Sequence, residues 1–203
     1  MSRFRLLRVL RTGLVGFGAL AFALAPAGVA SADETEDTEN FSFSSWDLSY
    51  ELSLDAQGRA HAEVTEELVA QFPDFDQNRG IVRALPLRYQ GAPAAPEDIT
   101  ITDGDGDQVP FETENDDGFR SILVGDYSFV YGEQTYVISY TVTDVMHATD
   151  EADEFYWHLV PVDRNQDIDA VSAQITLDSQ LGSALTGESA CYIGTPEDSQ
   201  ACS

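Results

Sequence analysis

Glu66 is the residue of greatest chemical interest in this sequence. It stands in the series Ala60, Ala62, Val64, Glu66, Leu68, Ala70, Phe72, where every other member is apolar. A carboxylate in that phase is headed for an interior in which an unpaired charge is costly. The nearest basic residues in sequence belong to Arg79-Gly80-Ile81-Val82-Arg83. A guanidinium fork can hold a carboxylate at two points. A structural ion pair of Glu66 with Arg79 or Arg83 is therefore expected, pinning that segment to the strand of Glu66. The rival chemistry is a general acid whose pKa is raised by burial.

Two acidic clusters offer further chemistry. Asp103-Gly104-Asp105-Gly106-Asp107 opens like a calcium loop, and counting from Asp103 places Glu114 at position twelve. Position six holds Gln108 instead of glycine, however, and Pro110 stands where a hydrophobic residue belongs. A hairpin turn rich in Asp and Gly fits the pattern better. The second cluster, Asp150, Glu151, Asp153 and Glu154, precedes Phe155-Tyr156-Trp157-His158. Acids beside aromatics can line a carbohydrate groove, and paired carboxylates can hydrolyse glycosides. The plainer reading is a solvated loop entering a core strand, with Trp157 packed inside. His61, His147 and His158 lack metal-ligand spacing. No nucleophile elbow, phosphate loop or dinucleotide fingerprint occurs. No cofactor is expected.

Strands must position these residues. Trp46, Leu48, Tyr50, Leu52 and Leu54 alternate with polar neighbours, Asp55-Ala56-Gln57-Gly58 turns the chain, and Arg59 to Phe72 returns. That is a hairpin of half-buried strands. Residues Asn78 to Pro86 read as a compact, less regular stretch. Short strands are expected at Asp98–Thr102, Val109–Thr113, Phe119–Val124, Thr135–Thr143, Phe155–Val160 and Val171–Leu177. In the last, Val171, Ala173, Ile175 and Leu177 share one face. No amphipathic helix of ten or more residues is evident. The set predicts an all-β, two-sheet antiparallel β-sandwich of immunoglobulin-like type over residues 44–178, with a closed barrel as the alternative. Residues 33–43 read as a disordered acidic linker, and 179–203 as an irregular tail.

The N-terminus sets the compartment. Arg3, Arg5, Arg8 and Arg11 precede an apolar run from Gly13 to about Leu24, and Ala30-Ser31-Ala32 supplies a small-residue cleavage site. Residues 1–32 thus read as a secretory signal peptide, the alternative being an uncleaved anchor. The chain contains 36 acids against 10 basic residues, all arginine. With the leader removed, six arginines face every one of those acids, a net charge of −30. Such a surface repels phosphate backbones, so nucleic acid is excluded as a partner. Cys191 and Cys202 are the only cysteines. In an oxidising compartment they are expected to form a bridge that ties down the tail and contributes about 2–3 kcal/mol locally.

The ordered motifs resemble those of the domain of unknown function 2207 family, the N-terminal domain of predicted membrane proteins. The resemblance runs from about Trp46 to Leu177. Its motifs are Gly58 through Val64-Thr65-Glu66; Arg79-Gly80-x-x-Arg83-x-Leu85-Pro86; Tyr136-Val137-Ile138-Ser139-Tyr140; and Asp153-Glu154-Phe155-Tyr156-Trp157. The family's aromatic run usually continues with Asn, where His158 stands here. The resemblance implies an extracytoplasmic β-domain followed in longer members by transmembrane helices, and it implies no activity. The expectation is a non-enzymatic extracytoplasmic module of a bacterial surface protein, anchored downstream of Ser203, with an interaction, sensing or envelope role. Its partner would be an envelope or surface protein or a polysaccharide. The alternatives are a cell-wall carbohydrate enzyme using carboxylates such as Glu66 and Glu154, and a calcium-dependent adhesive domain using Asp103, Asp105 and Asp107.

Overall fold

A computed structural model of the chain describes residues 38–202 apart from 90, 151, 162, 163, 196 and 197. The leader 1–32 and the first part of the acidic linker lie outside the described residues. The chain is mostly β-strand, and its organising unit is a long hairpin. Strand β1 (Ser42–Leu54) and strand β2 (Ala60–Phe72) pair antiparallel from Ser42↔Gln71 to Leu54↔Ala60. Asp55 shapes the turn: its Oδ1 accepts from the N–H groups of Gln57 (2.8 Å) and Arg59 (2.9 Å), while Gly58 takes a φ of 76°.

The following elements are β3 (Gly80–Pro86), β4 (Arg88–Tyr89), β5 (Ala92–Pro93), β6 (Glu97–Asp103), β7 (Phe111–Asp116), β8 (Phe119–Gly125), β9 (Gly132–Thr143), β10 (Met146–Ala148), β11 (Asp153–Phe155), β12 (Val171–Leu177), α1 (Ser179–Ala184), β13 (Tyr192–Thr195) and β14 (Asp198–Ala201). They build a five-stranded sheet of order β12-β1-β2-β9-β6, a three-stranded sheet β3-β8-β7, and three two-stranded ribbons. The period-two apolar residues of β1, β2 and β9 share one core with Ile81, Leu85, Ile122 and Val124 of the three-stranded sheet.

Several expectations change. The sheets are not a simple antiparallel pair, because β12 runs parallel to β1, with Trp46↔Val171 through Leu52↔Leu177 in register. Residues 80–86 form a regular strand where an irregular stretch was expected. Of the expected strand 155–160, only Phe155 is paired, through β11 against β10. The linker does not reach residue 43: Phe43 is buried and exchanges backbone hydrogen bonds with Asp167 and Asp169. Ahead of it, the carbonyls of Thr38 and Asn40 accept from the amides of buried Asn78 (2.7 Å) and Gln77 (3.3 Å). Nor is the tail irregular. Asp178 caps α1 by accepting from Gln180 and Leu181 N–H, and β13 and β14 form a hairpin flanked by the Cys191–Cys202 disulfide. Local side chain-to-backbone bonds and one covalent bridge order this segment without a long apolar pattern. Among the described residues, no helix is long and apolar enough to cross a membrane.

Candidate functional site

Pairing in the five-stranded sheet gathers the polar centre. Glu66 lies opposite Leu48 of β1 and Ile138 of β9. Trp46 and Tyr140 sit one pleat away on the same face, within diagonal reach. Glu66 has no solvent exposure. Its Oε2 accepts from Arg83 Nε at 2.8 Å and Trp46 Nε1 at 3.0 Å. Its Oε1 accepts from Arg83 Nη2 at 2.9 Å and the Tyr140 hydroxyl at 2.6 Å. Arg83 Nη1 donates to the Ala84 carbonyl at 2.9 Å, and the guanidinium carbon lies 5.1 Å from the Trp46 ring centroid. Burial works against the Arg83 charge, but the Glu66 carboxylate together with the Tyr140 and Tyr50 hydroxyls holds the guanidinium above its ordinary pKa. Burial, with the Glu66 charge second, also pushes the Tyr50 and Tyr140 hydroxyls up.

The arrangement joins two sheets through a carboxylate whose acceptor sites are occupied by four donors. Glu66 therefore cannot reach a substrate as a general acid. Arg79 takes no part in the pair. Its Nε donates to the Tyr127 carbonyl at 3.1 Å, and its guanidinium carbon lies 4.3 Å from the Phe129 ring centroid. Gly80 separates the two arginines with a φ of 138°, and a Cβ there would lie 1.8 Å from the Val124 carbonyl oxygen. The backbone turn at this glycine takes Arg79 out of the inward phase of Ile81, Arg83 and Leu85. Pro86 closes β3.

Elsewhere the anticipated constellations stay apart. Asp103 Oδ1 accepts from Asp105 and Asp107 N–H at 3.0 and 2.9 Å, so this carboxylate shapes its own turn. Among the described residues, no group of three or more His, Cys, Asp or Glu is placed to hold a metal. Glu154 is an exposed residue of β11. Trp157 is half-buried, not enclosed, with its ring 4.8 Å from Tyr89 and 6.3 Å from Phe155. The buried Tyr50 hydroxyl meets no partner in hydrogen-bond geometry among the described residues, although the Trp157 side chain faces it.

What the sequence did not reveal is a cleft of about 520 Å³ beside this network. Residues Arg79 to Arg83 form one wall, with Phe41 and Arg164 among the others. Its lining holds three arginines and two acids, Glu39 and Asp126, against 36 acids and 10 basic residues in the whole chain. Trp46 and Tyr140 were each legible as inward-facing, but only strand register brings them to Glu66. Arg164 carried no signal at all.

Comparison with curated proteins yields no match. Among solved structures, three of leukotriene A4 hydrolase from yeast align with this chain: the native Saccharomyces cerevisiae enzyme (16% identity, TM-score 0.33, 63% of this chain), a second native structure (17%, 0.32, 59%) and a complex with bestatin (17%, 0.31, 63%). This chain spans 18% of the length of each, and no argument rests on a likeness of that size. A family model does match, over residues 48–198, and it extends past the motifs into the C-terminal hairpin. The match covers most of the sequence, and the chain belongs to the DUF2207 family, through the N-terminal domain of these predicted membrane proteins.

Proposed function

We propose that this chain is the extracytoplasmic, non-enzymatic binding domain of a bacterial membrane protein, and that it receives an envelope or surface partner in the arginine-rimmed cleft. The observation that carries the proposal is the composition of that cleft. Half of the arginines outside the leader line it, in a chain where acids outnumber basic residues by more than three to one. A volume of about 520 Å³ falls in the range of ligand sites, roughly 300–1,000 Å³. Arg83 is fixed from below by Glu66, so the cleft rests on an anchored wall. The fold that goes with this reading is a two-layer β-sandwich, with the five-stranded sheet facing the three-stranded one and Glu66–Arg83 spanning the layers. Support for placement outside the cytoplasm comes from the family description, the leader-like N-terminus and the Cys191–Cys202 bridge, which suits an oxidising compartment.

The test is topology. The tagged natural gene product is fractionated, and intact cells are treated with an external protease. The domain is expected in the membrane fraction and cleaved from outside. Recovery in the cytosol with both cysteines reduced overturns the proposal.

A further inference from the structure

We infer that the occupant of the cleft is an extended acidic peptide segment of a partner protein, added as a strand to the free edge of β3. The inference rests on the proposal that the cleft is a binding surface, and it names the partner's chemistry.

The first observation is the edge itself. In the sheet order β3-β8-β7, β3 has β8 on one side and no strand on the other. The Leu87 N–H donates to the Gly118 carbonyl, in register with the β3–β8 ladder. Hydrogen-bonded pairs alternate in an antiparallel ladder. Leu85, Arg83 and Ile81 therefore exchange bonds with β8, while the backbone groups of Gly80, Val82 and Ala84 point to the free side. Two details agree with this phase. Pro86, with no N–H to give, falls on the outward phase, where an edge strand tolerates proline. The Ala84 carbonyl is taken by the Arg83 side chain. Gly80 and Val82 have no backbone partner beyond the ladder among the described residues.

The second observation is where that edge lies. Five consecutive residues, Arg79 to Arg83, line the cleft, so the cleft follows the strand edge. An added strand would find outward N–H and C=O groups to pair with, the main-chain source of affinity in strand addition.

The third observation is charge. Arg83 is committed to Glu66. Arg79 and Arg164 are exposed, and each is seen to give one nitrogen to a backbone carbonyl, of Tyr127 and Pro161. A guanidinium has five N–H donors, so each fork retains donors for a carboxylate. Neither β6 nor β7 offers this, and β12, the other outer strand of the five-stranded sheet, carries no arginine. β7 carries Glu112, Glu114 and Asp116, and β6 carries Glu97, Asp98 and Asp103 with a register shift between Glu97 and Thr100. Acids and bulges are the usual guards of an edge. β3 holds no acid. An acidic strand is thus repelled at β6 and β7, whereas β3 itself presents it no acid; the cleft also holds Glu39 and Asp126, so the added strand's carboxylates are received at Arg79 and Arg164 specifically.

The test uses three capped pentapeptides with the exported chain: Ac-VEVEV-NH2, its lysine counterpart Ac-VKVKV-NH2, and the glutamate peptide with its central amides N-methylated. Affinity is read by calorimetry and the docking position by NMR amide shifts. The glutamate peptide is expected to bind with Kd below about 1 mM and to shift the Gly80 and Val82 amides. Arg79→Gln and Arg164→Gln, both at exposed positions, should each weaken it about tenfold with unchanged circular dichroism. The lysine and N-methylated peptides should not bind. Equal binding of the N-methylated peptide overturns strand addition, and equal binding of the lysine peptide overturns the acidic specificity. If no peptide binds while external protease still cleaves the domain on cells, the inference fails and its placement outside the cytoplasm stands.

Discussion

Strands β2 and β12 flank β1 on opposite sides with the same alternation, yet one is interior and the other is not. The even-numbered residues of β2 from Ala60 to Phe72 are buried without exception, including Glu66. In β12 the matching residues Val171 and Ile175 remain 45% and 51% exposed, although they align with Trp46 and Tyr50 on the core face of β1. Alternation specifies which side of a sheet a residue faces. It does not specify what lies on top. The residues of β3 and β8 join the core beside β1, β2 and β9, leaving the outer strand with a greasy but uncovered face. The same cover decides the fate of the charge: Glu66 is tolerated on β2 because Arg83 reaches it from the three-stranded sheet.

The contrast can be broken most forcefully at the charge. Arg83→Ala strands a buried carboxylate and is expected to cost about 3–5 kcal/mol in denaturant unfolding. The double variant Glu66→Leu/Arg83→Met should recover much of that loss. A loss below about 1 kcal/mol for the single variant would mean that the pair is not enclosed as described. A smaller effect lies at alkaline pH. Burial pushes Tyr136, also on the covered face, up to about 12 from an ordinary value of 10.0. A hydroxyl held above its unfolded value contributes stability that is complete below pH 10 and lost as pH climbs toward 12. About 2 kcal/mol should disappear across that window. The Tyr136 share of the tyrosinate absorbance, isolated as the difference from Tyr136→Phe, should lag until unfolding, and its early titration in the folded protein would contradict the burial of this residue. Smallest is Ile175→Ser on β12, expected to change stability by about 0.5 kcal/mol or less. A loss above 2 kcal/mol would show that this face is covered in the assembled protein.

The β1–β2 hairpin and the inward position of Glu66 were legible because both follow from local alternation and from the cost of an unpaired charge. The choice between Arg79 and Arg83 was not legible, since it turns on the unusual backbone of Gly80 and its close approach to Val124. Tyr140 and Trp46 could be read as inward but not as ligands of Glu66, because register between distant strands leaves no local mark. Parallel pairing of β12 was hidden for the same reason. The cleft escaped entirely: its walls come from residues near 40, 80, 125 and 164 that share no motif. In the tail, Cys191 and Cys202 were the one usable signal, and they pointed to the closure but not to the helix and hairpin inside it.

The parallel seam between β1 and β12 joins residues about 125 positions apart, as Asp47 and Ser172 illustrate. A chain threaded across a membrane leader-first would deliver β1 about 125 residues ahead of its outer neighbour. During that interval the main-chain edge of β1 stands open, ready to be captured by any stray extended segment. Maturation of the domain would then be paced by how quickly β12 follows, and a product stalled before Val171 would be a seed for aggregation.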